Sequence, residues 1–318
     1  MNILSIRPLI TTQKTMKRLF KNGCPNHVYS KGVDGNMVFY STADCIYYIT
    51  LYSCLSRKYH IRTGAFSLMP NHAHSQQYAR SQKHFTIFNQ ELLALFTRAY
   101  NIRHGRSGEL FQKPFGSAPK VGAKSIKSNL SYINNNGAAG KLSKGVLDYR
   151  WNLMGYYYSD HPFSERIILR QSSQRLRQAL RYVIKLRKRN KPLDYQIQDT
   201  LFKGLNQKER NQLIDFILYK YNFLDYSVLT RYFSSFEDAL RGMDANTGSE
   251  HDLDEEWEDY SVYRTMIEAV RKAGYDTEKI SFKELNNDTL IHLIATLSSV
   301  TKDRKRICRF LHLKKGLW

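Results

Sequence analysis

Acidic charge, cysteine and long apolar runs are all scarce in this chain, and each shortage removes a class of explanation. Only 28 aspartates and glutamates stand against 49 lysines and arginines in 318 residues, leaving a net charge of +21. An excess of that size points to a polyanionic partner, nucleic acid above all. The four cysteines, Cys24, Cys45, Cys54 and Cys308, form no Cys-x-x-Cys pairs. "CPNH" (24–27) offers a thiolate and an imidazole with no second pair to complete a zinc site, so a reduced, cytosolic state is expected. The longest apolar run, "CIYYITLYSCL" (45–55), is too short and too polar to span a bilayer. The first twenty residues hold no clean apolar segment with a small-residue cleavage site, so neither a secretion signal nor a membrane partner is expected.

The basic charge that is present is unevenly spread. Residues 1–160 carry 21 basic and 6 acidic side chains, net +15, and residues 161–318 carry 28 and 22, net +6. Length suggests two domains, and a hydrophobic content of 42% is enough for packed cores.

The pattern along the chain predicts an α+β domain over 1–160. "NHVYSKGVDGNMVFYS" (26–41) reads as a β-hairpin, and "STADCIYYITLYSCLSRK" (41–58) as a helix with a Ser/Asp start. Strands follow at 59–69 and 71–79 across a Pro70–Asn71 turn, then a helix over 84–105 and an extended stretch over 108–119. A shorter helix ends in an Asn/Gly stop at 136. This order suits an antiparallel sheet covered by helices on one face. A mostly helical, basic domain over 161–318 is predicted next, with helices at 172–190, 206–223 and 225–243. "NTGSEHDLDEEWEDY" (246–260) holds seven acidic residues and no basic one, and reads as an exposed linker. The last stretch, 288–318, reads as two short helices joined by "SSVT". They form either part of a helix-turn-helix carrying Lys302, Arg304, Lys305, Arg306 and Arg309, or a solvated closing helix.

"MPNHAHS" (69–75) places His72 and His74 on one face of a strand, side by side. With ten histidines, chance supplies such a pair often enough that it carries little alone. In "SIKSNLSYINNN" (125–136), Ile126, Leu130 and Ile133 form a buried stripe. Tyr132 lies on a flank with Asn129 and Asn136, and Asn136 is one turn beyond it on the same face.

"AFSLMPNHAH" (65–74), "RAYNIRHGRSGELFQKPF" (98–115) and "YINNNGAAG" (132–140) together resemble, in order and spacing, the HUH single-tyrosine transposases, above all the REP-associated branch and its insertion-sequence relatives. The resemblance covers roughly residues 20–160. It implies a ferredoxin-like HUH domain in which Tyr132 is the catalytic nucleophile and His72, His74 and Asn136 hold Mg²⁺ or Mn²⁺. It also implies single-stranded or hairpin DNA as partner, a 5′-phosphotyrosine intermediate, and a cytoplasmic bacterial protein working at the nucleoid, with a homodimer open to it. Two departures stand out: "SQQYA" (75–79) is polar where the family strand is apolar, and Asn136-Gly137 replaces an Asn-Pro.

Candidate DNA contacts are the basic residues interleaved with aromatics, Arg98, Arg103, Arg106 and Lys113 beside Tyr100, Phe111 and Phe115. Lys124 and Lys127 on the tyrosine helix join them, as do Arg304, Lys305 and Arg306 near the C-terminus, and the basic helix 172–190 is a candidate grip for a hairpin stem. Two rival readings stand beside the transposase: a DNA-binding protein of the same ancestry without turnover, and a replication initiator or relaxase. The single tyrosine of "YINNN" disfavours the second.

Overall fold

The computed structural model describes residues 19–113, 115–245, 258–278, 280 and 285–313. Strand Asn26–Lys31 (β1) leads to helix Thr42–Tyr59 (α1), strands Arg62–Met69 (β2) and His72–Tyr78 (β3), helix Gln82–Arg103 (α2) and strand Gly116–Pro119 (β4). All pairings are antiparallel and the sheet order is β2-β3-β1-β4. A β-α-β-β-α-β chain with β1 and β3 in the centre is the ferredoxin-like arrangement.

Local signals account for these elements. The Ser41 hydroxyl accepts from the Asp44 amide while the Asp44 carboxylate accepts from the Ser41 amide, a reciprocal cap that starts α1. Ser81 starts α2 with a one-way cap, its hydroxyl accepting from the His84 amide. The hairpin expected over 26–41 does not form. Both edges of β1 are taken by β3 and β4, so residues 36–40 have no strand edge to join. Instead the amides of Val38 and Phe39 bond to the Pro70 carbonyl.

Helices also cover both faces of the sheet, not one. α1 and α2 pack on the side of Phe66, Ser75 and Gln77, while helix Ala123–Ala139 (α3) lies across the side of Ala65, His74 and Gln76. Every residue of α1 from Asp44 to Ser56 is buried. A helix enclosed on all sides is apolar all round, which explains the run at 45–55.

After α3 the chain is helical, which completes an α+β fold with a mostly helical C-terminal part. Helices Gln174–Lys188 (α4), Tyr195–Phe202 (α5) and Gln207–Tyr221 (α6) come first. The helix expected over 225–243 is two, Ser227–Tyr232 (α7) and Phe236–Asp244 (α8), because Ser235 caps a new start. Ser261–Lys272 (α9), Asn287–Val300 (α10) and Arg304–Leu311 (α11) follow. No helix among the described residues is long and apolar enough to cross a membrane.

The pair α10–α11 is docked, not presented. Met37 donates its amide to Arg309 O at 3.0 Å, and Tyr40 donates its hydroxyl to Phe310 O. Residues 246–257 of the acidic stretch lie outside the described residues. Its end is no solvated spacer, since Glu258 pairs with Arg309 at 2.6 Å and Asp259 with Lys141 at 2.9 Å. One cluster of buried side chains runs from Met37 to Leu311, across the boundary expected near residue 160.

The anchor between the two parts is Asp44, fully buried at the start of α1. Its carboxylate accepts from the Tyr40 and Ser41 amides and the Ser41 hydroxyl, contacts His104 Nε2 at 3.0 Å, and accepts from the Tyr195 hydroxyl at 2.8 Å. Removing one partner of a buried charge network costs about 3–5 kcal/mol, because the other groups stay desolvated. Asp44→Ala should lower unfolding free energy by about that much. Urea denaturation checks it, and an unchanged midpoint would show that Asp44 anchors nothing.

Candidate functional site

Strand alternation places His72, His74 and Gln76 on one face of β3 and Ala73, Ser75 and Gln77 on the other. The polar "SQQ" is buried, and each glutamine meets an amide. Gln76 Nε2 donates to Asn129 Oδ1 of α3 at 2.9 Å. Gln77 and Asn89 of α2 exchange a reciprocal pair at 2.9 and 3.0 Å on the opposite face. The two glutamines stay buried because each finds an asparagine on the helix that covers its face.

α3 crosses β3 antiparallel, and the contacts step along both elements together. Asn129 meets Gln76, Tyr132 meets His74 with ring centroids 5.7 Å apart, and Asn136 lies buried one turn further along α3. Two strand residues advance roughly 6.7 Å and one helical turn roughly 5.4 Å, so the rows stay matched over this length. Tyr132 is 4% exposed, edge-on to both His74 and His27.

His27, on β1, is the residue that sequence reading missed. It is fully buried, its Nε2 lies 2.9 Å from His74 Nδ1, and its ring is 5.8 Å from that of Tyr132. The available signal was the "HVY" alternation, which puts His27 and Tyr29 on one face of a strand that turns out to be central. Tyr260, the residue before α9, was also missed. Its ring stands 5.7 Å from that of His72, and its amide donates to Gly140 O at 3.1 Å.

Glycines make room for this closure. The helix expected to stop at 136 runs on to Ala139, so Gly137 sits inside it and relaxes no turn. A Cβ there would lie 2.3 Å from the Tyr149 ring, and one on Gly140 would lie 2.8 Å from Met69 and 3.0 Å from Tyr260.

The imidazole orientations can be read in part from their partners. Asn71 donates from Nδ2 to Gly35 O at 3.2 Å, which leaves its Oδ1 to accept at 2.5 Å from His72 Nδ1. His72 therefore keeps its lone pair on Nε2. Among the described residues no group of three or more His, Cys, Asp or Glu side chains could hold a metal ion. A divalent ion here would need two imidazoles with an amide oxygen and water, and Asn136 fits: its Nδ2 is buried with no hydrogen-bond partner, and turning the amide over would offer Oδ1 instead.

The expected DNA contacts separate into two groups. Arg98 and Lys113 line one groove between α2 and residues 108–115, with Lys113 paired to Glu109 at 2.9 Å. Lys124 is exposed, and Lys127 lies 4.6 Å over the Phe233 ring. Arg304 and Lys305 are exposed at the start of α11. The other three are structural. Arg103 grips Asp199 at 2.7 and 3.0 Å and Glu278 O at 3.2 Å. Arg106 bonds Asn101 at 2.6 Å and Glu109 O at 2.9 Å, and Arg306 bonds Asp259 O and Asp303, each at 3.2 Å. Phe111, Phe115 and Tyr100 are core residues, not stacking platforms. On α4, by contrast, Arg175, Arg177, Arg181, Lys185 and Lys188 are all exposed.

The fold and face together define a ferredoxin-like domain with an imidazole–tyrosine cluster on its central strands. Among solved structures, the chain is similar to a REP-associated tyrosine transposase bound to a REP hairpin. Identity is 17%, 48% of this chain and 97% of that chain are covered, and the TM-score is 0.38. No family model and no curated protein matches the chain.

The amide row generates a double-mutant test. Gln76→Leu removes the donor that Asn129 Oδ1 receives from Nε2 in a buried interface and should cost about 1–3 kcal/mol. Gln76→Leu combined with Asn129→Leu should cost less than the sum of the two single changes. Additive free energies from chemical unfolding would mean that the row is not coupled.

Proposed function

We propose that the chain is a metal-dependent single-strand DNA transesterase of the transposase type, with Tyr132 as nucleophile and His72, His74 and Asn136 as metal ligands. The observation that carries this reading is the packing of the Tyr132 ring against His74, in the row next to the one holding His72. Tyr132 and the His72–His74 pair belong to motifs nearly sixty residues apart in the chain, and they meet in one buried cluster.

A phenol is mostly protonated at neutral pH, with an ordinary pKa of roughly 10, so attack requires help in losing the proton. A bound Mg²⁺ or Mn²⁺ would supply Lewis-acid polarisation of a scissile phosphate. The residues of the chain supply the rest. His72, His74 and Asn136 would hold that ion, and α3 carries Tyr132 beside His74 as the attacking group. Tyr132 Oη forms a bond to phosphorus and loses its proton, the bond from phosphorus to the 3′-oxygen breaks, and that oxygen takes up a proton. The product is a 5′-phosphotyrosine that retains the energy of the phosphodiester. A second 3′-hydroxyl can therefore reverse the step onto another strand without an external energy source. The exposed cations of α4, with Lys124, Arg304 and Lys305, suit the backbone of a hairpin beside the cleaved strand.

One observation favours a second reading. Tyr132 and His72 are only 4% and 5% exposed, as suits a DNA-binding protein without turnover. Labelled single-stranded hairpins from the flanks of its own gene, incubated with Mn²⁺ and resolved on denaturing gels, separate the two. The transesterase reading expects a covalent protein–DNA adduct that Tyr132→Phe or EDTA reduces to background. His74→Ala should lower its yield roughly 100-fold, through loss of a few kcal/mol of charge stabilisation. Tight hairpin binding with no adduct would establish the binder instead.

A further inference from the structure

The geometry points to His27 as a positioning residue for His74: its Nε2 accepts the Nδ1 proton of His74, holding the His74 lone pair on Nε2. This assignment rests on the proposed metal site for its purpose, but not for its geometry. His74 Nδ1 faces His27 Nε2 at 2.9 Å, so that nitrogen cannot ligate, and only Nε2 is left to do so. Between two neutral imidazoles the shared proton sits on one nitrogen or the other. If His27 donates, His74 must carry its own proton on Nε2, where a ligand needs a lone pair. If His27 accepts, His74 presents the lone pair. The second arrangement matches His72, whose Nδ1 proton is fixed by the Asn71 amide. Two neighbouring rings would then present Nε2 alike, one held by an amide and one by an imidazole.

The position of His27 suits the task. It lies on a central strand, is fully buried, and its β1 neighbour Tyr29 stands opposite His74 in the register, so the contact is fixed by backbone pairing on both sides. Partners that orient an imidazole ligand typically control metal affinity by 10–100-fold.

The test uses two polar replacements that differ only in where they place an acceptor. His27→Gln puts an amide oxygen where Nε2 stands, and His27→Asn puts it where Nδ1 stands. Far-ultraviolet circular dichroism and thermal midpoints identify the folded variants. In the metal-free wild-type protein, the ¹⁵N shifts of the His74 ring should report the Nδ1–H tautomer, and an Nε2–H ring would overturn the assignment. Mn²⁺ titration followed by electron paramagnetic resonance should show His27→Asn weakened 10–100-fold and His27→Gln within about threefold of wild type. Equal affinity in both variants would also overturn it. A wild-type protein that shows the Nδ1–H ring but binds no Mn²⁺ would sink the metal reading and leave the His27 assignment standing.

Discussion

A polar face in the middle of a sheet must be covered by something that can hydrogen-bond to it, and here α3 does so through Asn129. Gln76 answers Asn129 on one side of β3 while Gln77 answers Asn89 on the other. Sliding β3 by one residue would exchange the two faces. Both glutamines would lose their partners, and the His72–His74 face would turn toward α2. Each unanswered buried amide costs about 1–3 kcal/mol, so the register is locked from both sides at once. The relation of Tyr132 to the imidazoles is a consequence of that lock, since the tyrosine is one turn along the same helix.

The second constraint joins the two parts of the chain. Asp44 collects groups from α1, the end of α2 and α5, and Arg103 ties α2 to Asp199 and Glu278 O. Arg309 and Lys141 hold Glu258 and Asp259, and the buried core is continuous beneath them. Several arginines in a strongly basic chain are therefore fasteners. A charge count sees only their sign, whereas the fold separates those that grip carboxylates from those on α4 that face solvent.

The ferredoxin-like domain was largely legible because its elements carry local signals: the Ser41–Asp44 cap, the Pro70–Asn71 turn and the apolar residues at helical spacing in α1. The His-x-His face and the Tyr132–Asn136 spacing were legible as patterns, and the structure sets Tyr132 beside His74. What could not be read were relations set by non-local pairing. β1 offers the same local pattern whether its partner is the next run of chain or a strand forty residues away, so the 26–41 hairpin was a reasonable expectation and did not form. His27 stood out only once β1 was seen beside β3. Tyr260 follows an acidic stretch that reads as solvated, and nothing nearby marks it as a neighbour of His72. Arg103 and Phe111 looked like nucleic-acid contacts because exposure is decided by the helices that dock later.

The contact between Tyr260 and His72 also gives the site a schedule. Tyr132 and the imidazoles leave the ribosome early, but the wall over His72 is made of a residue 128 positions after the tyrosine. At ordinary synthesis rates that interval is on the order of ten seconds. During it, the nascent chain can form its sheet while the side of His72 that Tyr260 meets stays uncovered. The cover over His72 is thus the last part of the cluster to be made, and the imidazoles and Tyr132 can pack together before it arrives.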